Sequence, residues 1–389
     1  MATVAEPIRY ASKREGDIPW YSWCLTLAVT SASIGGRWDV SWHQSIGRDT
    51  FWTPAHIAIY LCGVLAGIAC GYLILKATFQ RPTELIATSV QVVGLSGPLG
   101  AFLAAWGGLA MLTSAPFDNW WHNAYGLDVK IVSPPHTLLI LGDVAIEAGA
   151  LLLIMSALNR AEGQPILFSR LRKLVLYLSS VLLMSVMFFC MEFTRDVLLH
   201  TSLPYIALSI GVPVCFAATS RASRYKWAAT SIAVIYIASV IAFILILPLF
   251  PAEPKLGPVY QPVTHFVPPQ FPMLLLVPAM LLDLFWTKIG SLGKLLASAL
   301  SGPLFVLSLL AVEWPFASFL MTPASNNRFF ATGSHPFSVP PWAPVVLRQF
   351  IRGDQPSMLI KGLALSTICA AISVWLGLTV GDWMRKIQR

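Results

Sequence analysis

Charge is what this chain has least of. Only 11% of its 389 residues are Asp, Glu, Lys or Arg, while 56% are hydrophobic. Soluble domains carry about a quarter charged residues, so the shortage excludes a soluble core with a single anchor and points to a polytopic membrane protein. Cysteine is scarce as well. The six cysteines, at positions 24, 62, 70, 190, 215 and 369, lie inside or beside apolar stretches, and none forms a CxxC pair. Neither a disulfide framework nor a thiolate metal site is indicated, and they read as small residues facing lipid or other helices. The 18 acids are outnumbered by 26 bases, for a net charge of +8. That excess does not imply nucleic acid, because the bases fall in short connections between apolar spans, as in membrane proteins. No apolar run lies within the polar residues 1–18, so no cleavable signal peptide is expected.

Long apolar runs are what the chain does have. Ten candidate spans are expected, at about 19–40, 54–77, 84–114, 134–157, 171–196, 202–220, 227–250, 271–288, 293–320 and 357–381. The first is cut by Gly35 and Gly36 and is the weakest by hydropathy; the eighth is short. The expected fold is therefore an all-α polytopic membrane helical bundle of about ten transmembrane helices. With the N-terminus in the cytoplasm, seventeen of the 26 Lys and Arg fall on the inner side and nine on the outer, and both termini are cytoplasmic. In this orientation all seven histidines lie on the outer side.

Four of those histidines belong to a repeated motif. Asp39, Trp42, His43, Gly47, Asp49, Pro54 and His56 in the first copy match Asp118, Trp121, His122, Gly126, Asp128, Pro134 and His136 in the second. Asp39 and His43 are four residues apart, as are Asp118 and His122. On a helix this puts both side chains on one face, about 6 Å apart along the axis. Thr53-Pro54-Ala55-His56 and Ser133-Pro134-Pro135-His136 both read as helix starts, with a hydroxyl N-cap and proline in the first turn. Each copy thus closes one helix with an Asp and a His, turns, and opens the next with a His. One carboxylate and two imidazoles suit copper, iron or zinc, with positions left open. Asp39, His43 and His56 are expected to form one metal site, and Asp118, His122 and His136 a second. Trp42 and Trp121 read as interfacial aromatics, and Gly47 and Gly126 as turn residues. Asp49 and Asp128 read either as helix-start anions or as groups that orient a ligating histidine.

Other residues stand outside the repeat. Asp143 and Glu147 lie within the fourth span, Asp143 on roughly the same face as His136, and read either as a proton route or as part of a structural ion pair. Glu192, Arg195 and Asp196 are expected to pair near the outer end of the fifth span. His200, His265 and His335 sit in outer connections, as a further ligand, a proton route or plain surface residues. The stripe of Met184, Met187 and Met191 reads as helix packing rather than as soft copper contacts. The long outer segments 251–270 and 321–356, rich in proline and aromatics, are expected to lie along the interface, capping the metal region or binding a partner.

The run from Trp42 to Tyr60, W-H-Q-S-I-G-R-D-T-F-W-T-P-A-H-I-A-I-Y, resembles the signature of the C subunit of the copper-containing membrane monooxygenases, the particulate methane and ammonia monooxygenases. That family carries an Asp, a His four on and a second His thirteen further, which Asp39, His43 and His56 match. Its second site is an Asn, a His four on and a His fourteen further. His122 and His136 match that spacing, while Asp118 stands where the family has Asn. The resemblance covers roughly residues 19–160. It implies a copper cofactor of one or two ions, partner subunits including a periplasmic one, and a location in a bacterial inner (cytoplasmic) membrane with the metal sites towards the periplasm.

Three regions follow: a cytoplasmic segment 1–18, a metal-binding membrane region 19–160, and further membrane helices of unrecognised type in 161–389. The expected function is copper-dependent oxidation of a small apolar molecule, such as a short hydrocarbon, or of ammonia, by dioxygen. A quinol is a candidate electron donor, membrane lipid surrounds the chain, and oligomers are compatible with it. The rival reading is a non-enzymatic copper-binding membrane protein for acquisition, storage or assembly. Haem-b electron transfer ranks third, because it leaves the carboxylates at i,i+4 unexplained.

Overall fold

The computed structural model describes residues 17–47, 51–126, 133–288 and 292–388, and the fold is all-α. Twelve helices run in order among the described residues: α1 (Trp20–Ser45), α2 (Pro54–Leu75), α3 (Thr83–Ala87), α4 (Leu99–Tyr125), α5 (Pro134–Arg160), α6 (Pro165–Cys190), α7 (Leu203–Ser223), α8 (Ala228–Ile246), α9 (Leu276–Lys288), α10 (Lys294–Leu320), α11 (Pro344–Leu347) and α12 (Pro356–Met384). Five of them (α2, α5, α6, α11 and α12) open on proline, where the fixed φ suits the first turn and the missing N–H costs nothing. A two-stranded antiparallel hairpin, β1 (Val90–Val92) and β2 (Leu95–Gly97), stands between α3 and α4.

Eight of these helices are long and apolar enough to cross a membrane, so the chain is a membrane protein. The two expected spans outside this set are the two that the sequence marks as weakest. α1 is 26 residues long but is diluted by polar residues through Asp39 and His43. α9 has 13 residues, about 20 Å of helix against a hydrocarbon core of about 30 Å. Two expected boundaries move. The span expected at 84–114 does not start before Leu99, because Gly94, Gly97 and Pro98 form a hairpin and a proline stop ahead of it, and it runs on to Tyr125. The span expected at 171–196 lies at Pro165–Cys190, so Glu192, Arg195 and Asp196 fall beyond the helix.

The chain divides into two compact units. One takes in the described residues up to Ile34, Ile57–Val181 and the chain from Trp383; the other takes in Gly35–His56 and Leu182–Asp382. The division passes through α1 at Gly35.

The first unit is built on the α4–α5 pair, which the two helices' glycines bring into backbone contact. A Cβ on Gly107 would lie 2.5 Å from the Gly142 carbonyl oxygen, and one on Gly149 would lie 2.5 Å from that of Gly100. The two contacts are seven residues apart on each helix and run in opposite directions, so the helices are antiparallel and in fixed register. α2 joins through Gly63 and Gly108, where a Cβ on Gly108 would lie 2.8 Å from the Gly63 oxygen. Ser31 Oγ donates to the Ala58 carbonyl at 2.7 Å, tying α1 to α2.

In the second unit, buried acids close helix starts. Asp283 of α9 accepts from Thr230 N at 2.8 Å and Ala229 N at 3.3 Å, at the beginning of α8. Glu313 of α10 accepts from Leu274 N at 2.9 Å, just ahead of α9. A carboxylate set against unsatisfied N–H groups at the positive end of a helix answers for its own burial. Asp382 of α12 meets Arg221 of α7 at 3.0 Å and Lys294 of α10 at 2.6 Å.

Candidate metal centres

Both copies of the repeat fold as the spacing predicts. α1 ends at Ser45, just after Asp39 and His43, and α4 ends at Tyr125, just after Asp118 and His122. Gly47 (φ +84°) and Gly126 (φ +96°) then take a backbone conformation that side chains disfavour, which turns the chain out of each helix. At Gly47 a Cβ would also meet the Leu256 side chain at 2.9 Å. α2 and α5 open with the expected caps: Thr53 Oγ1 accepts from His56 N at 3.1 Å, and Ser133 Oγ from His136 N at 3.3 Å.

The result is two clusters of the same composition. In the first, Asp39 Oδ2 lies 3.7 Å from His43 Nε2 and Asp39 Oδ1 lies 3.1 Å from His56 Nε2. In the second, both imidazoles approach one oxygen: Asp118 Oδ1 lies 3.2 Å from His122 Nε2 and 3.4 Å from His136 Nε2. Within each cluster the three donor atoms lie within 4.8 Å of one another. A tetrahedral ion with ligands at about 2.0–2.1 Å holds its donors about 3.4 Å apart, so the two donor sets fit such an ion with little adjustment. Each lies wholly inside one unit, the first in the second unit and the second in the first.

The imidazoles are held in a useful orientation. His56 Nδ1 lies 2.6 Å from the Phe51 carbonyl oxygen, and His122 Nδ1 lies 3.1 Å from that of Gly126. A proton on Nδ1 donated to a carbonyl turns Nε2 to the carboxylate as the nitrogen that a metal would take in place of a proton. The clusters differ in access. The His43 side chain is 41% exposed, whereas those of Asp118 and His122 are 5% and 4% exposed.

The proline-rich segments cap the end of α1. Ser41 Oγ donates to the Val267 carbonyl at 2.6 Å, and Val267 N donates to Ser45 Oγ at 2.7 Å. Lys255 N donates to the Ile46 carbonyl at 2.8 Å and Phe337 N to that of Gln44 at 3.1 Å. Trp42 packs there against Phe266, with ring centroids 5.7 Å apart. Trp121 instead lies among Phe117, Trp120 and the exposed Tyr125.

The remaining expectations sort as follows. Asp49 and Asp128 lie outside the described residues. His200 is stacked between Trp314 and Phe350, at 4.2 and 3.8 Å, with Nε2 3.1 Å from Ser318 Oγ, which makes it a packing residue. His265 lies 3.0 Å from Thr264 Oγ1. Burial, and then the neighbouring Arg348 guanidinium, hold His335 below the usual histidine pKa. None of these three joins either cluster. Glu192 pairs with Arg195 at 3.8 Å on the surface, while Asp196 N donates to Gln270 Oε1 at 3.3 Å. Met184 and Met187 are core residues. Asp143 and Glu147 are not in the second cluster; Asp143 Oδ1 faces the Cys62 thiol at 3.9 Å. The motif missed the Phe51 and Gly126 carbonyls, since a backbone acceptor has no side-chain signature. It missed the Cys62 contact because cysteine read as a neutral helix-facing residue.

Searches against protein-family models, characterised proteins and solved structures gave no match to this chain.

Proposed function

We propose that this chain is a copper-dependent membrane monooxygenase, or a subunit of one, that oxidises a small apolar molecule or ammonia with dioxygen. The observation that carries the reading is the pair of Asp–His–His clusters, each with an imidazole fixed through Nδ1 so that Nε2 faces a carboxylate. The resemblance of Trp42–Tyr60 to the C subunit of the membrane monooxygenases supports copper over zinc or iron. Asp39, His43 and His56 would hold one ion and Asp118, His122 and His136 the other. Bound copper would supply one-electron redox chemistry and open positions for dioxygen. The chain's own groups do the rest. The carboxylates offset the charge of the ion, the capped helix starts aim His56 and His136, and apolar helix walls admit an apolar substrate while keeping water away. Electrons come from a reductant outside the chain, for which a quinol in the bilayer is suited. A periplasmic partner subunit, an inner-membrane location and outward-facing centres belong to the same proposal.

Copper content is the first test. Purified protein loaded with copper is expected to hold close to two ions per chain by mass spectrometry, and His43→Ala and His122→Ala one each. Such a result calls for assays of oxygen uptake with short hydrocarbons and ammonia. A wild-type chain that takes up zinc or haem but no copper sinks the proposal. The exposure of His43 favours a second reading, a copper acquisition or storage protein that exchanges metal at the first cluster. Two bound coppers that are never reoxidised by dioxygen would select it.

A further inference from the structure

The two copies of the repeat part ways beside their shared tryptophan. Ser41, Trp42 and Ile46 in the first stand where the second has Trp120, Trp121 and Tyr125. Indole and phenol rings give up a single electron readily, because the ring system spreads the unpaired electron that remains. On α4 the spacing sets these rings beside the candidate ligands. Trp121 follows Asp118 by three residues and Tyr125 follows His122 by three, so each ring neighbours a ligand on the helix surface. The Trp121 and Tyr125 centroids are 4.5 Å apart, and Trp120 lies 6.4 Å from Trp121 and 6.2 Å from Tyr125. All three separations are those of aromatic rings in contact. Trp121 is half-buried next to the buried His122, whereas Trp120 is 55% and Tyr125 68% exposed. The rings therefore lead from the second donor set to the surface.

The first copy is built differently. Trp42 meets Phe266 at 5.7 Å and Trp38, one turn back along α1, at 6.5 Å. Ser41 is bound to the Val267 carbonyl, and Ile46 is buried in an apolar cluster. Beside His56 an exposed Trp52 stands against Phe51, whose benzene ring resists oxidation. Anchoring at a membrane interface accounts for exposed rings such as Trp120 and Tyr125. It does not account for Trp121, set behind them and next to His122.

We propose that Trp121, Trp120 and Tyr125 carry single electrons from the protein surface to the second centre, discharging it when dioxygen has oxidised it and no substrate is bound. The inference rests on the copper reading above. The Trp121 indole gives one electron to the centre, which is reduced by one. Tyr125 returns an electron to the indole and releases its phenol proton to water, leaving a neutral phenoxyl radical at the surface. A thiol or ascorbate in the surrounding water then supplies the hydrogen atom that restores the phenol, and is itself oxidised by one electron. Trp120 is a second exposed ring at which the electron is replaced. The histidines of the centre are thereby spared the oxidation that an idle centre would direct at them.

The test uses the copper-loaded full chain, reduced, mixed with dioxygen without substrate, and freeze-quenched. Electron paramagnetic resonance is expected to show a tyrosyl radical, identified by its altered splitting in protein made with deuterated tyrosine, and Tyr125→Phe to abolish it. Trp121→Phe is expected to keep its copper and lower the radical yield about fivefold or more. Oxidation of His122 and His136 in that variant, read by peptide mass spectrometry, should rise by a similar factor. Trp42→Phe, in the first copy, is expected to change neither readout. A wild type that holds copper and is reoxidised without a radical at Tyr125 overturns the proposal and leaves the copper reading intact. So does a Trp121→Phe chain with equal radical yield at equal copper content. A wild type without copper, or with copper that dioxygen never reoxidises, overturns the oxygenase reading and this role with it.

Discussion

At His56 and His122 Nδ1 is committed to a backbone carbonyl, and Nε2 is therefore the nitrogen turned to the carboxylate. The type of each candidate ligand was legible in the repeat; which ring nitrogen it turns to the carboxylate was not, because carbonyl acceptors come from whatever residue the turn happens to place there. Burial likewise escapes a residue count. Asp196 lies beyond the end of α6, and burial raises its pKa to about 7. Its neighbourhood includes Glu313 of α10, a like charge. The folded state thus retains a proton that the unfolded chain, with an ordinary carboxyl near 3.9, has already lost. Stability from this group is complete below about pH 4 and falls as pH rises towards 7. The melting temperature of the wild type is expected to drop across that window, and Asp196→Asn to flatten the drop. An unchanged slope in the variant would place the titration elsewhere.

At the scale of elements, two kinds of feature differed in how well they could be read. Helix starts were plain: Thr53-Pro54 and Ser133-Pro134 cap and open α2 and α5 as their residue types dictate. Helix pairing was not. Gly100, Gly107, Gly142 and Gly149 look like ordinary small residues in apolar runs until α4 and α5 are set side by side, when each proves to admit the other backbone. That register fixes how Asp118 and His122, on α4, meet His136, on α5. A methyl group at Gly107 would lie 2.5 Å from the Gly142 oxygen and 2.9 Å from Ile146 N. Gly107→Ala is expected to cost about 1–3 kcal/mol, as overpacking does. It should also reduce copper at the second centre while the first stays filled. Gly71→Ala is the control, since nothing lies within 4 Å of its added carbon and helix propensity favours alanine. Loss of copper from both centres in Gly107→Ala, or from neither, would refute this role for the glycine register.

For the whole molecule, composition was enough to read a membrane protein, and the two weakest spans foretold which helices would fall outside the eight candidate crossings. The division into two units was not foreseeable, because it cuts α1 at Gly35 and depends on which helices pack rather than on their order. Its consequence is that each unit owns one complete set of candidate ligands, Asp39, His43 and His56 in one and Asp118, His122 and His136 in the other. The sets are unequal in access: the most open side chain of the first, His43, is 41% exposed and that of the second, His136, 30%, while Asp118 and His122 are buried. A hydrophilic chelator meets the open His43 at the first set, whereas the second offers it only His136, with Asp118 and His122 buried, so metal is expected to leave the second more slowly. Copper loss from the loaded chain is therefore expected in two phases of about one ion each. The fast phase should be missing in His43→Ala and the slow phase in His122→Ala, with the surviving phase unchanged in rate. Loss of both ions in a single phase, or a change in the survivor, would mean that the two centres act as one cooperative site rather than as the separate property of two units.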